Sequence, residues 1–199
     1  MSTGSIRSNI QAVRNTLNDV AKRQLPFAIA RALTATAKDV QGVLTTALPR
    51  QLDKPTPFTM KAFAVTPATK QSLTAKVYIK PAQWKYLRYQ IEGGVRKPNK
   101  RVLIVPKAIR LNQYGNMQRG AIKKLLTKAK VFSGTIDGVS GIYERKGRGQ
   151  GSMQLVVGYS DKVAYRKRYP FKEIAHRAVP KLFDRHFRVS MAAALASMR

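Results

Sequence analysis

Cysteine is absent from the 199 residues, which excludes disulfide scaffolds, thiolate metal sites and thiol nucleophiles. Acidic residues are scarce, with nine Asp and Glu in all, and histidine occurs twice. No apolar run approaches the ~18 residues of a membrane-spanning helix. The opening Met1-Ser2-Thr3-Gly4-Ser5 has no basic segment followed by an apolar core, so no signal peptide is expected. The chain is therefore expected to be made in the cytoplasm and to stay soluble.

The scarcity of acids bears directly on catalysis. General acid–base chemistry needs carboxylates or histidines gathered in one cleft. Asp19, Asp39, Asp53, Glu92, Asp137, Glu144, Asp161, Glu173 and Asp184 stand singly, and no two share a spacing that places them on one face. His176 and His186 are ten residues apart on one expected helix and read as surface or edge residues rather than metal ligands. No Gly-x-Ser-x-Gly elbow occurs. The run Gly147-x-Gly149-x-Gly151 lacks the following helix of a dinucleotide loop and the Lys-Ser/Thr of a phosphate loop, so it reads as a flexible hairpin tip. The expectation is a chain with no enzymatic activity, no cofactor and no metal.

What is abundant is positive charge. Thirty-eight Lys and Arg set against nine acids leave a formal net charge of +29. Self-repulsion on this scale opposes a compact isolated chain and favours an anionic partner. Between Arg96 and Lys130 there is no acid, while Arg96, Lys97, Lys100, Arg101, Lys107, Arg110, Arg119, Lys123, Lys124, Lys128 and Lys130 accumulate. Arg145, Lys146 and Arg148 follow in a Gly-rich connector, and Arg166, Lys167 and Arg168 form another cluster between Tyr165 and Tyr169. Tyr114 is the only aromatic of the 96–130 stretch. Modules that read bases use several aromatic platforms, so this stretch suits phosphate contact, with strong salt dependence, or an acidic protein partner.

Periodicity supplies the architecture. Ile6, Ile10, Val13, Leu17 and Val20 recur at helical steps behind a potential Ser5 N-cap. This first helix either docks on a neighbouring subunit or packs on its own domain. After Pro26, a second helical stripe of Ile29, Leu33, Ala37, Val40, Leu44 and Leu48 extends to Pro49. Pro55 and Pro57 prevent helix continuation. Residues 58–66 and 73–80 are expected to form paired strands, the latter by period-two alternation of Leu73, Ala75, Val77 and Ile79. Trp84, Leu87 and Ile91 mark a short helix stopped at Gly93-Gly94. Residues 93–120 read as a long loop, interrupted only by the apolar run 102–105. A basic helix over 121–130 and a hairpin of 138–144 with 152–159 come next. The last helix starts near Pro170, carries Phe171, Ile174, Ala175, Ala178, Val179, Leu182 and Phe183 on its apolar face, and should kink or split at Pro180. The order predicts an α+β fold: an antiparallel β-sheet packed by helices, with long N-terminal and C-terminal helices. Its organisation would be a helical arm over 1–48 and an α+β domain over 49–199 with a basic loop at 93–120.

Several stretches, in order, resemble the minor tail protein Z family of lambda-like bacteriophages and prophages. They are Lys54-Pro55-Thr56-Pro57-Phe58-Thr59, Ala62-Phe63-x-Val65-x-Pro67-Ala68-Thr69-Lys70 and Val77-Tyr78-Ile79-Lys80-Pro81. Gln90-Ile91-Glu92-Gly93-Gly94, Asn112-x-Tyr114-Gly115-Asn116, Phe132-Ser133-Gly134 and Arg168-Tyr169-Pro170-Phe171 follow. The similarity covers about residues 25–185, and the order of the motifs is more specific than any one of them. It implies a structural virion protein needed for tail completion and head–tail joining at the head-proximal neck. The implied partners are further copies in a six-fold or twelve-fold ring, other neck, connector or tail-tube proteins, and packaged DNA through phosphate contacts, with no membrane. The family has no catalytic residues to carry over. The alternative from charge alone is a sequence-independent nucleic-acid-binding protein acting through its basic patches.

Overall fold

A computed structural model describes residues 24–98, 101–147 and 152–196. The expected helix over 5–24 lies almost wholly outside the described residues, as do Lys100, Arg148 and most of the Gly-rich hairpin tip. The fold is α+β, with antiparallel sheets packed by helices and a long helix toward each end of the chain. No helix among the described residues is long and apolar enough to cross a membrane. The described residues form two compact units, one from residues 24–50, 57–85 and 170–196, the other from 51–56, 86–98, 101–147 and 152–169.

In the first unit, helix α1 spans Leu25–Gln51. Pro26 sits in its first turn, where a missing N–H costs nothing, and Pro49 is accommodated inside its last turn rather than ending it. Its buried stripe runs Ala28, Ala32, Thr36, Val40, Leu44 and Leu48, at steps of four. Ile29 and Leu33, expected inside, are half-buried. Small side chains occupy the inner face there instead, and the buried Thr36 hydroxyl is satisfied by donating to the Ala32 carbonyl at 2.8 Å. A single helical turn α2 (Pro57–Met60) replaces the first half of the expected strand 58–66, because Pro57 favours a turn start and Ala62 N–H closes back on the Thr59 carbonyl. Strand β1 (Phe63–Thr66) then pairs antiparallel with β2 (Lys76–Ile79), Phe63 opposite Ile79. The alternation expected for 73–80 holds within β2, whereas Leu73 lies outside the strand and is exposed.

Helix α3 (Pro81–Ile91) passes from the first unit to the second, and Gly93, at φ 74°, follows its end. It buries Gln83, Leu87 and Ile91, while Trp84 is turned to the exposed side. The last helix, α5 (Phe171–Ala196), runs through Pro180 without splitting. A proline removes one backbone hydrogen bond there, and neighbouring turns keep the helix going. Its inward stripe is only half-buried and Val179 is exposed; Ser190 and Ala194 alone are fully buried among its described residues. It is fastened in the first unit by stacking of Phe171 on Phe63, ring centroids 5.8 Å apart. Gln41 on α1 also holds β1, donating to the Phe63 carbonyl at 2.8 Å.

The second unit contains a four-stranded antiparallel sheet in the order β4-β7-β6-β5: β4 Leu103–Pro106, β5 Val131–Ile136, β6 Val139–Arg145 and β7 Met153–Ser160. The β6–β7 hairpin matches expectation. Strand β5 replaces what was read as connection between the basic helix and the hairpin; it joins β6 through Asp137-Gly138, both at positive φ (50° and 76°), a two-residue hairpin turn of the favoured kind. The basic helix α4 is shorter than expected, Ala121–Leu126, because the chain turns at Thr127–Lys130 into β5. The expected 93–120 loop is also more ordered. It carries β3 (Gly94–Arg96), which pairs with β8 (Val163–Tyr165), and β4, which pairs with β7. Both are short edge segments whose partners lie far along the chain, so local periodicity could not reveal them.

The core of this unit is Leu125, Val131, Ile142, Val156 and Val157, with Ile109, Ile122 and Tyr159 packed against it. A β-bulge at Ile142/Tyr143 leaves Val156 as the extra residue of β7, so consecutive residues Val156 and Val157 are both buried. The freed Val156 carbonyl accepts from Lys107 and Ala108 N–H groups, each at 3.0 Å. Gly134, Gly141 and Gly158 lie opposite one another across three strands. At Gly141 a methyl group would run into the Val157 carbonyl oxygen and lie 2.6 Å from Leu155 Cδ1. Gly141→Ala should therefore cost about 1–3 kcal/mol, measured by urea unfolding. Gly134→Ala, where a methyl meets only Phe132 ring atoms at 3.5 and 3.6 Å, should cost under about 1 kcal/mol.

Candidate anion-binding surface

Among the described residues no group of three or more His, Asp or Glu is placed to hold a metal ion. His176 is exposed, but His186 is half-buried and its Nε2 lies 2.8 Å from Asp39 Oδ2, which also takes an Arg185 hydrogen bond at 2.5 Å. This contact joins α5 to α1 within the first unit across 147 residues of sequence. It consumes the carboxylate in an ion pair rather than presenting it to a substrate.

The described basic residues singled out in the sequence all belong to the second unit, and each of them is exposed. Arg96, Lys97, Arg101, Lys107, Arg110, Arg119, Lys123, Lys124 and Lys128 are in no salt bridge among the described residues. The fold gathers these cations in two places.

The first lies around α4. Leu125 and Ile122 turn toward the sheet, which leaves Lys123 and Lys124 on the solvent side. After the helix, Val131 N–H bonds to the Lys128 carbonyl at 2.9 Å, and Arg145 N–H to the Lys130 carbonyl at 2.9 Å. The lysine-bearing turn is thus held against the end of β6. A cleft of about 410 Å³ opens there, with Ile109, Leu125 and Val156 as apolar lining and Arg110, Lys124 and Lys128 among its walls. Arg119 and Lys123 flank the start of α4, Lys107 follows β4 and Arg101 precedes it. Arg145 sits with its guanidinium 5.1 Å from the Phe132 ring centroid, and Phe132 in turn stacks on Tyr143.

One carboxylate, Glu144, shares this cleft. It accepts from Lys146 Nζ at 2.9 Å. That hydrogen bond holds its carboxyl below the ordinary carboxylate range. Partial desolvation opposes the effect, and the charges of Lys146, Lys128 and Lys130 add to it. One anion among several cations acts as an internal counter-ion, leaving the cluster net positive.

The second place is where the β3–β8 ribbon meets the end of α3. Register sets Arg96 opposite Val163 and Gly94 opposite Tyr165. Arg168 and Tyr169 N–H groups both bond to the Gln90 carbonyl, at 2.7 and 2.9 Å, so the segment Arg166-Lys167-Arg168 is pinned to the C-terminal end of α3. Cations there also meet the negative end of the helix dipole. Gly93 permits this approach: a methyl on it would lie 3.2 Å from the Tyr165 carbonyl and 3.4 Å from the Lys167 nitrogen. The same junction brings in residues that sequence reasoning missed. Tyr89 and Tyr165 rings lie 5.5 Å apart at 33°, and the Arg88 guanidinium is 4.8 Å from the Tyr89 ring centroid while donating to its hydroxyl at 2.8 Å. Arg88 and Tyr89 precede the acid-free stretch and Tyr165 lies far beyond it, so only the strand pairing reveals them as one group.

The Glu144 geometry has a pH consequence. Its folded value is depressed, so the attraction to Lys146 is complete above the ordinary carboxylate value of 4.5 and is lost as pH falls through the folded value. Glu144→Gln should reproduce the loss at neutral pH and tighten binding of duplex DNA at low salt by roughly two- to five-fold, read by fluorescence anisotropy. An unchanged or weakened affinity would remove this cleft from the anion-binding surface. Comparison with protein-family models, with curated protein sequences and with solved structures returned no match in any of the three.

Proposed function

We propose that this chain is a non-enzymatic structural protein of a bacteriophage virion, a tail-completion or neck component. In this reading it assembles with further copies into a ring that joins tail to head around the DNA channel. The observation that carries the reading is the acid-free stretch on the second unit, whose exposed cations are in no salt bridge among the described residues and call for an external polyanion to offset them. The ordered motifs from Lys54 to Phe171 support the assignment to the neck. Exposed large apolar groups support packing against other chains: Phe27, Phe58, Tyr78, Val179, Val189 and Leu195 in the first unit, Val95, Ile104 and Val139 in the second. Six-fold or twelve-fold copy number, contact with connector or tail-tube proteins and location in the virion all belong to this proposal.

A free-standing, sequence-independent nucleic-acid-binding protein is the second reading, favoured by the same exposed lysines and arginines. Assembly separates the two. Negative-stain microscopy of the purified chain, alone and with a tail or neck partner, should show closed rings. Monomers only, at every salt concentration, would count against the structural reading. Both readings predict that duplex affinity falls steeply with salt. Neutralising Lys97, Lys100, Arg101, Lys123 and Lys124 to glutamine should reduce the slope of log affinity against log salt by about 0.9 for each phosphate that is no longer neutralised. An unchanged slope would mean that these side chains do not touch phosphate.

A further inference from the structure

From the Tyr89–Tyr165 ring pair at the basic end of α3, we infer a binding site for an unpaired nucleotide of single-stranded DNA. The inference rests on the reading of this unit as a polyanion contact and deepens it, because it names a form of nucleic acid that the lysine-rich cleft cannot distinguish. Three observations carry it. Two aromatic rings form a tilted pair, centroids 5.5 Å apart at 33°, with the Arg88 guanidinium over one of them. Both tyrosines are only half-buried, so ring surface remains open to solvent. Exposed cations adjoin the rings on both strands of the ribbon: Arg96 and Lys97 on or just beyond β3, and Arg166, Lys167 and Arg168 directly after Tyr165.

The chemistry follows from what each partner offers. Phosphates of duplex DNA satisfy cations anywhere on a basic surface, but the faces of paired bases are already stacked on their neighbours. An unpaired base has a free π-face, which can stack on the open ring surface of the tyrosine pair, while its flanking phosphates take the adjacent arginines and lysine. Such recognition is indifferent to base identity, since every base has a π-face. The arrangement is also fixed in place before binding. Tyr165 is held by the β3 register and by the Gln90 carbonyl contacts that follow it, and Tyr89 is held by the last turn of α3. Little ordering is left to oppose association.

The test measures anisotropy of a labelled oligothymidylate and of a labelled duplex with the full chain at matched salt. The variants are Tyr165→Leu, Tyr89→Leu, Tyr165→Phe and Tyr165→Trp. Removing either ring should weaken oligothymidylate binding by about ten-fold and leave duplex binding nearly unchanged. Tyr165→Phe, which keeps the ring and drops only the hydroxyl, should bind as the parent does. Tyr165→Trp should bind oligothymidylate more tightly, with quenching of its added fluorescence. A leucine variant that loses both ligands equally, or a tryptophan variant with neither tighter binding nor quenching, would overturn the inference while leaving the duplex contact standing. Absence of duplex binding by the parent chain would instead overturn the reading on which it rests.

Discussion

Thirty-eight cationic side chains and nine carboxylates cannot neutralise one another inside one chain. Burying an unpaired ammonium or guanidinium costs several kcal/mol even after relaxation, so the excess must stay in water. This constraint shapes both units. Three of the acids are used on cations near by: Asp39 with Arg185 and His186, Asp184 with Arg188, Glu144 with Lys146. The other described lysines and arginines lie exposed at the surface.

The interiors are built accordingly. The first unit buries small side chains along α1, Ala28, Ala32 and Thr36, before reaching the larger Val40, Leu44 and Leu48. The second relies on a compact aliphatic cluster under α4, closed by a bulge that turns Val156 and Val157 inward together. That bulge has a further effect, since the Val156 carbonyl anchors the start of the segment carrying Lys107 and Arg110. The packing of the sheet and the placement of the basic cleft are consequences of one local irregularity. Likewise the short β3–β8 ribbon both ends the α3 connection and sets two tyrosines beside a row of arginines.

Elements whose signal is local were legible. Strand β2, helix α3 with its glycine stop, the β6–β7 hairpin and the long helices α1 and α5 all follow from periodicity and turn residues. Strand β5 escaped because Val131, Ser133 and Thr135 alternate with Phe132, Gly134 and Ile136 without a consistently polar side, although Asp137-Gly138 is a strong hairpin signal. Strands β3 and β4 escaped because three or four residues carry no period. Val179 falls on the expected apolar face of the last helix by spacing, yet the packed side of that helix is narrower than the apolar stripe. Among the basic residues, the acid-free stretch was evident from composition, but its division into a cleft at α4 and a ribbon at α3 was not.

The sequence alone determined the α+β class, the absence of thiol chemistry and the great excess of positive charge, because each depends only on residue counts or on neighbours within a few positions. The tertiary structure decided which cations stand together, that Glu144 lies among lysines, that His186 meets Asp39, and that Tyr89 lies against Tyr165. The His186–Asp39 contact spans 147 positions of sequence, and Tyr89 and Tyr165 are likewise far apart along the chain. Strand register and helix packing, which are collective properties of the folded chain, are what bring them within a few ångströms.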